Sequence, residues 1–420
     1  MNRFVYSLLL YLAMPLVPLK LLWRGIKQPA YRAYWGERFG FYAIKITKPV
    51  IWLHCVSVGE TRAAEPLVRA LQLQYPQYQI LLTHGTPTGR DASEALFGNA
   101  VNRVYLPYDL PFAVKRFLTH FQPKLGLVME TELWFNLIAA CKQADIPLLL
   151  LNARLSEKSA NGYAKLGRLA REGLQSLSGI AAQTAEDAAR LQSLVGHNVS
   201  AQHISVAGNL KFDVKPPVDA VDKGFQLRKL LGENRIIFAA ASTREGEEAL
   251  ILEAIKGFDV LTVIVPRHPQ RFDEVEALIK NADLVYVRRS QLTSAIATNT
   301  QVVLGDSMGE LFSYYAACDF SFIGGSLLPY GGQNLIEAAT MAKPILIGPH
   351  TFNFAEASKD ALAAGAALQV EDVASLKEKI VFLSNNQDLR KKMAKAAFAF
   401  SAASTGATAR LMHLIGQYLH

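Results

Sequence analysis

The sequence predicts an α/β fold of two doubly wound parallel-sheet domains behind an apolar N-terminal segment, and three observations predict it. Short β-branched and aliphatic runs alternate with amphipathic helical stretches from residue 49 onward, the pattern of repeated βαβ units. That alternation stops once, across Gly208 to Asp219, where Pro216-Pro217 reads as a linker. With 420 residues, 50% of them hydrophobic and 19% charged, the chain exceeds the usual size of one domain and can bury two cores. The expected division is an anchor and basic collar over residues 1–48, a first domain over 49–215 and a second over 216–420, whose last helix can cross back.

Taken in order, Phe4 to Leu19 is an apolar run interrupted by Pro15 and Pro18, shorter than the roughly 20 residues that span a bilayer. Eight basic side chains follow or flank it (Arg3, Lys20, Arg24, Lys27, Arg32, Arg38, Lys45, Lys48) against one acid, Glu37, so that +7 of the formal net charge of +8 is N-terminal. The body is nearly neutral, which excludes a polyanion groove and with it nucleic acid as the partner. Positive charge after the apolar run, with no small-residue cleavage site, favours an uncleaved anchor and a cytoplasmic body. The aromatic and basic residues from Tyr31 to Tyr42 suit a collar at the lipid headgroups, and a packed N-terminal arm accounts for them as well.

Strands are expected at Val50–Val56, Gln79–Thr83, Val104–Pro107, Leu125–Met129, Pro147–Asn152 and Ile180–Gln183, with helices between them such as Thr61–Gln74 and Leu133–Gln143. After the linker they resume at Arg235–Ala241, Leu261–Val265, Leu284–Arg288, Gln301–Leu304, Phe320–Ile323 and Pro344–Ile347. Two Rossmann-like domains of similar size joined by a short hinge place a cleft between the carboxyl edges of their sheets, the geometry of GT-B glycosyltransferases. Three scattered cysteines without CxxC pairing exclude a disulfide framework and a thiolate zinc site. No HExxH, Walker A or GxSxG pattern is present, and the histidines lack metal spacing.

The chemistry-bearing residues fall at strand ends. Ile51 to Glu60 ends a β-branched run at Ser57-Val58-Gly59 and opens a helix with Glu60, a candidate general base at the edge where open α/β sheets bind ligands. A first-turn acid favoured by the helix dipole accounts for the same placement. Glu130, in Met129-Glu130-Thr131-Glu132, lies on the same edge, and Lys211 before the hinge offers a cation for a leaving phosphate. In the second half Arg267 and His268 terminate a strand as an anion fork and a donor, although such pairs are also ordinary surface residues. Met308, Gly309 and Glu310 join a strand to a helix, as an anion-binding turn, as a capping box with Ser307, or as both. Asn334, Leu335, Ile336 and Glu337 open a helix after Gly331-Gly332, where an acid one turn in can accept ribose hydroxyl protons or simply face solvent.

HCVSVGET (His54–Thr61), YLPYDLP (Tyr105–Pro111), METELWFNL (Met129–Leu137), NARLSEKSANGY (Asn152–Tyr163), GNLKFD (Gly208–Asp213), PRHPQRF (Pro266–Phe272), GDSMGEL (Gly305–Leu311), GGSLLPYGGQNLIEAA (Gly324–Ala339) and GPHTFNF (Gly348–Phe354), in this order, resemble the 3-deoxy-D-manno-octulosonic acid (Kdo) transferases of lipopolysaccharide synthesis. The resemblance implies an inverting, metal-independent GT-B enzyme that needs no cofactor. It would work on the cytoplasmic side of the inner membrane and move Kdo from CMP-Kdo to the lipid A precursor lipid IVA. It further implies Glu60 as the proton acceptor and Glu130 and Lys211 as transition-state stabilisers. CMP would be bound by Arg267, His268, Met308, Gly309, Glu310, Asn334, Leu335, Ile336 and Glu337, with domain closure about the hinge. Phe135 after Trp134 and Leu335 in the last turn depart from the familiar pattern in shape more than in chemistry. A nucleotide-sugar epimerase and a membrane-tethered nucleotide sensor are the rival readings; neither requires a lipid acceptor.

Overall fold

The computed structural model describes residues 1–196, 203–214 and 216–419. Residues 215 and 420, where the sequence division ends its two domains, lie outside the described residues. The chain divides into two compact units, Met1–Asp213 with Thr405–His420, and Val214–Ser404. Residues 1–48 group with the first unit, and the chain returns to it at Thr405.

The first unit is built on seven parallel strands, β1 (Val50–His54), β2 (Gln79–His84), β3 (Asn102–Tyr105), β4 (Leu125–Met129), β5 (Leu148–Ala153), β6 (Gly179–Ala182) and β7 (Ile204–Val206), in the order β3-β2-β1-β4-β5-β6-β7. Both faces of β1 are buried, Ile51 and Leu53 in one core and Val50 and Trp52 in the other, so the strand reads as an unbroken apolar run. Gly126 on β4 is required by this packing, because a β-carbon there would fall 2.9 Å from the Trp52 ring. The C-terminal helix Ala407–Gly416 adds Leu411 and Ile415 to the core beneath Ile51 and Leu53.

The second unit repeats the plan with β8 (Ile237–Thr243), β9 (Leu261–Pro266), β10 (Tyr286–Arg288), β11 (Val302–Leu304), β12 (Phe320–Ile323), β13 (Ile345–Ile347) and β14 (Ala367–Gln369), ordered β10-β11-β9-β8-β12-β13-β14 and parallel throughout. Strand order reverses between β1 and β4 in the first sheet and between β8 and β12 in the second, and a reversal of this kind opens a crevice at the carboxyl edge.

Several expectations need correction. The sequence reading omits β7 and β14, three-residue edge strands that are partly exposed and so carry no apolar run. The expected helix Thr61–Gln74 is two helices, Val58–Ala63 and Glu65–Gln74, because Pro66 stands in the first turn of the second, where its missing N–H costs nothing. At the N-terminus α1 (Arg3–Ala13) and α2 (Leu16–Lys27) break at Pro15 and bend by 55°, while Pro18 sits harmlessly in the first turn of α2. Among the described residues no single helix is long and apolar enough to cross a membrane; the bent pair passes by length and composition. The arm that follows packs on the first unit, with Arg38 over the Tyr105 ring at 4.0 Å and Tyr42 against Phe117 and Phe121.

Candidate active site

In the first unit β1 hands over to a helix at Ser57, whose side chain caps Val58–Ala63. Glu60, in the first turn, accepts the Val56 N–H on Oε2 at 2.7 Å and the Ser57 hydroxyl on Oε1 at 2.8 Å. The carboxylate is therefore both a helix-start partner and a fixed acceptor at the β1/β4 reversal. It is only 8% exposed. Burial lifts its pKa from 4.5 to about 7; the bonds from Val56 and Ser57 pull it down, and the fields of Glu130 and Glu132 push it up. A carboxyl group poised near neutrality can accept a proton and release it again.

Glu130 follows β4 directly and adopts φ +56°, a left-handed backbone uncommon for a residue with a side chain. Its Oε1 accepts from Lys211 Nζ at 3.3 Å. Lys211 sits in the short 3-10 turn Leu210–Phe212, held by Asn152, whose Oδ1 accepts the Leu210 N–H at 2.9 Å. Glu132 accepts the Trp134 indole N–H at 2.9 Å, and burial raises its pKa also. His54, fully buried at the end of β1, is kept neutral by burial, its pKa lowered to about 3. The first unit thus gathers Glu60, Glu130 and Lys211 as the sequence expects and adds two residues it did not single out, Glu132 and Asn152.

In the second unit the expected residues follow neighbouring strands. Arg267 and His268 follow β9, with the Arg267 N–H bonded to Thr243 O of β8 at 3.0 Å. Burial and the charges of Arg244, Arg267 and Arg271 lower the His268 pKa, leaving a neutral ring that can donate or accept. The helix after β11 starts only at Leu311, so Met308 and Gly309 lie in the turn before it and Gly309 takes φ +79°. Ser307 and Glu310 bond side chain to side chain, and Arg289 Nη2 holds Glu310 at 2.9 Å; the expected capping box is replaced by this cluster. Asn334 caps Leu335–Thr340 through the Ile336 N–H at 3.1 Å. Leu335 and Ile336 are wholly buried, so they serve as the core footing of this turn. Burial raises the Glu337 pKa to about 7, against the lowering field of Arg267 and a bond from Asn334.

Sequence reasoning passed over Glu247, which organises this edge. Its Oε2 accepts the N–H of Arg244 at 2.9 Å and of Gly325 at 2.6 Å, and its Oε1 that of Leu327 at 3.0 Å. It thereby ties the loop after β8 to the glycine turn after β12. Gly324 permits that approach, since a β-carbon there would lie 2.6 Å from Thr243 Cα. The acid-rich turn Arg244-Glu245-Gly246-Glu247 after a strand was the available signal. All three cysteines are buried and free, and among the described residues no group of three or more His, Cys, Asp or Glu is placed to hold a metal ion.

Residues 33–214 match the family described as 3-Deoxy-D-manno-octulosonic-acid transferase (kdotransferase). A 3-deoxy-D-manno-octulosonic acid transferase from Bordetella pertussis is 41% identical over 437 residues, covering 100% of both chains. One from Haemophilus influenzae is 39% identical over 428 residues, covering 100% of this chain and 99% of its own. In fold alone, the UDP-GlcNAc 2-epimerase from Neisseria meningitidis bound to UDP-GlcNAc is similar, with TM-score 0.56 at 16% identity over 88% of this chain and 100% of that one, and two parallel-sheet α/β units of this kind are GT-B-like. Identity at this level across the whole length of two such relatives decides the matter: the chain belongs to the 3-deoxy-D-manno-octulosonic acid transferase family and is a glycosyltransferase.

Proposed function

We propose that this enzyme transfers Kdo from CMP-Kdo to lipid IVA in lipopolysaccharide synthesis, with inversion and without a metal or other cofactor. The observation that carries the reading is Glu60, a buried carboxyl group at the β1/β4 reversal with its pKa raised to about 7. Glu60 takes the proton of the acceptor glucosamine 6-hydroxyl as that oxygen bonds to the anomeric carbon. The bond from that carbon to CMP breaks on the opposite face, and its electron pair leaves with the phosphate, which accounts for inversion. Lys211 supplies positive charge, held in direction by Glu130.

CMP is held by Arg267 and His268 at its phosphate, by the Met308-Gly309-Glu310 turn, and by Asn334 to Glu337, with Glu337 accepting from the ribose hydroxyls. The names and identity of the full-length relatives support the transfer of Kdo. The exposed apolar side chains of α1 and α2 together with the N-terminal positive charge support residence on the cytoplasmic side of the inner membrane.

The test is mass spectrometry of lipid IVA incubated with the purified protein and freshly generated CMP-Kdo, with CMP release followed in parallel. A lipid heavier by one or more Kdo residues is the expected result. Unchanged lipid, with the donor altered or merely bound by a folded protein, would overturn the proposal.

A further inference from the structure

One flank of the first unit carries a groove of about 1100 Å³ between α1 and the helices Pro111–Phe121 and Phe135–Gln143. Apolar side chains from each wall line it, Phe4 and Leu8 from α1, Leu118 from the second helix and Ala140 from the third. Its charged lining is three cations, Arg3, Lys115 and Lys124, against one acid, Asp145. The groove starts at Asn136, two residues beyond Trp134 and so beside the turn that carries Glu130 and Glu132. From there it follows the Phe135–Gln143 helix to its end at Gln143, a length of about 11 Å. It ends at Lys124 and Ile146, which precede β4 and β5 at the opposite edge of the sheet.

Polar contacts fix the outer wall in place. Tyr6 of α1 donates its hydroxyl to Asp109 Oδ2 at 2.8 Å, and Asp109 also accepts the N–H groups of Asn136 and Leu137 at 3.0 and 2.8 Å. Ser7 bonds Asn136 at 2.9 Å. The same helix is apolar toward solvent, with Leu9 52% and Leu12 69% exposed. A helix apolar on its outer surface and fastened by hydroxyls on its inner one makes a groove that opens at a lipid surface.

We propose that this groove receives one acyl chain of the phosphorylated lipid acceptor, with Arg3, Lys115 and Lys124 facing its anionic groups. The proposal rests on the acceptor reading above and adds where the chain lies: along the helix that leaves the carboxylate turn, so that the sugar hydroxyl stays at the sheet edge. The basic lining is complementary to a phosphorylated amphiphile and would disfavour a neutral one.

Ala140→Trp fills the groove, and Thr119→Trp does so from an exposed position where folding is not at stake. Initial transfer rates are measured with lipid IVA dispersed in detergent and with the same acceptor after chemical removal of its acyl chains. The expected result is a KM for the acylated acceptor raised about tenfold or more, equivalent to one pocket contact of ordinary strength, with kcat/KM for the de-acylated acceptor unchanged. An unchanged KM for the acylated acceptor overturns the proposal, and so does an equal loss with both acceptors. Loss confined to binding of anionic phospholipid vesicles, with turnover of the dispersed acceptor intact, also overturns it and assigns the groove to a bilayer lipid. Wild-type protein that transfers to neither acceptor instead marks failure of the proposed function itself.

Discussion

Replacing Glu60 with glutamine should make the protein more stable at alkaline pH while stopping transfer. The amide introduced by Glu60→Gln can still accept the Val56 N–H through its oxygen and donate to the Ser57 hydroxyl oxygen, so the local bonds survive. What disappears is the cost of ionising a buried carboxyl group. Glu60 binds its proton more tightly folded than unfolded, its pKa rising from 4.5 to about 7, so its contribution is favourable below pH 4.5 and is lost as pH climbs to about 7. At about 1.36 kcal/mol for each pH unit of that interval, the wild type gives up about 3 kcal/mol by pH 8 and below about 1 kcal/mol at pH 5. All four tryptophans, Trp23, Trp35, Trp52 and Trp134, lie in the first unit, so urea unfolding followed by tryptophan fluorescence reads the unit that contains Glu60. The variant should exceed the wild type by up to about 3 kcal/mol at pH 8, converge with it near pH 5, and lose about 10²- to 10⁴-fold in kcat. Glu337 does not confuse the comparison, because it is in the other unit and unchanged in both proteins. Parallel stability curves for the two proteins between pH 5 and 8 would mean that Glu60 titrates normally, and the argument for a base poised near neutrality would fall.

Wild-type kcat/KM should rise with pH to a plateau above about 7 as Glu60 loses its proton, and a profile flat from about pH 5.5 to 8.5 would contradict that titration. Lys211→Met should leave folding intact and reduce kcat by about 10²-fold; near-normal turnover would remove Lys211 from the mechanism. Glu247→Gln leaves one of three backbone N–H groups without an acceptor, at about 1–3 kcal/mol, and should weaken CMP binding by calorimetry; unchanged affinity would show that the glycine turn does not touch the nucleotide. Leu12→Glu with Leu16→Glu, at exposed positions, should lower recovery on anionic vesicles without shifting the unfolding midpoint, and undiminished recovery would contradict a membrane role for this surface.

The sheets were legible because their strands are buried on both faces. Phe320–Ile323 and Leu125–Met129 can be read to the residue from their apolar runs, whereas Ile204–Val206 and Ala367–Gln369 pair along one edge with partly exposed side chains and leave no comparable trace. Placement of Glu60, Glu130 and Arg267 at strand ends follows from the alternation alone. Their electrostatic character does not, since it depends on Glu132 lying near Glu60 and on Asn152 reaching 58 residues along the chain to the turn of Lys211. The turn after β8 marks Glu247 in the sequence, but its bracing role does not show there, because two of its partners are backbone N–H groups at residues 325 and 327, and a backbone N–H has no letter.

Four carboxylates at these two sheet edges come to different chemistry through their partners rather than their positions. Glu247 gives its oxygens to three backbone N–H groups and has little left for a ligand, so it is a brace. Glu130 faces the ammonium of Lys211 at 3.3 Å, so its part is to hold that cation in place. Glu337 is half-buried, bonded by Asn334 and under the field of Arg267, which leaves a carboxyl group able to meet hydroxyl donors. Glu60 alone combines burial, neutral donors and two neighbouring acids with no cation among the causes that set its pKa. Bringing a cation there should therefore abolish the base. Glu132 is one of the acids that raise the Glu60 pKa, so in Glu132→Lys that field changes sign, and the inflection in kcat/KM should move below about pH 7 as the carboxylate is favoured and its basicity falls. An inflection that stays in place while the variant folds would mean that the titrating group is not Glu60.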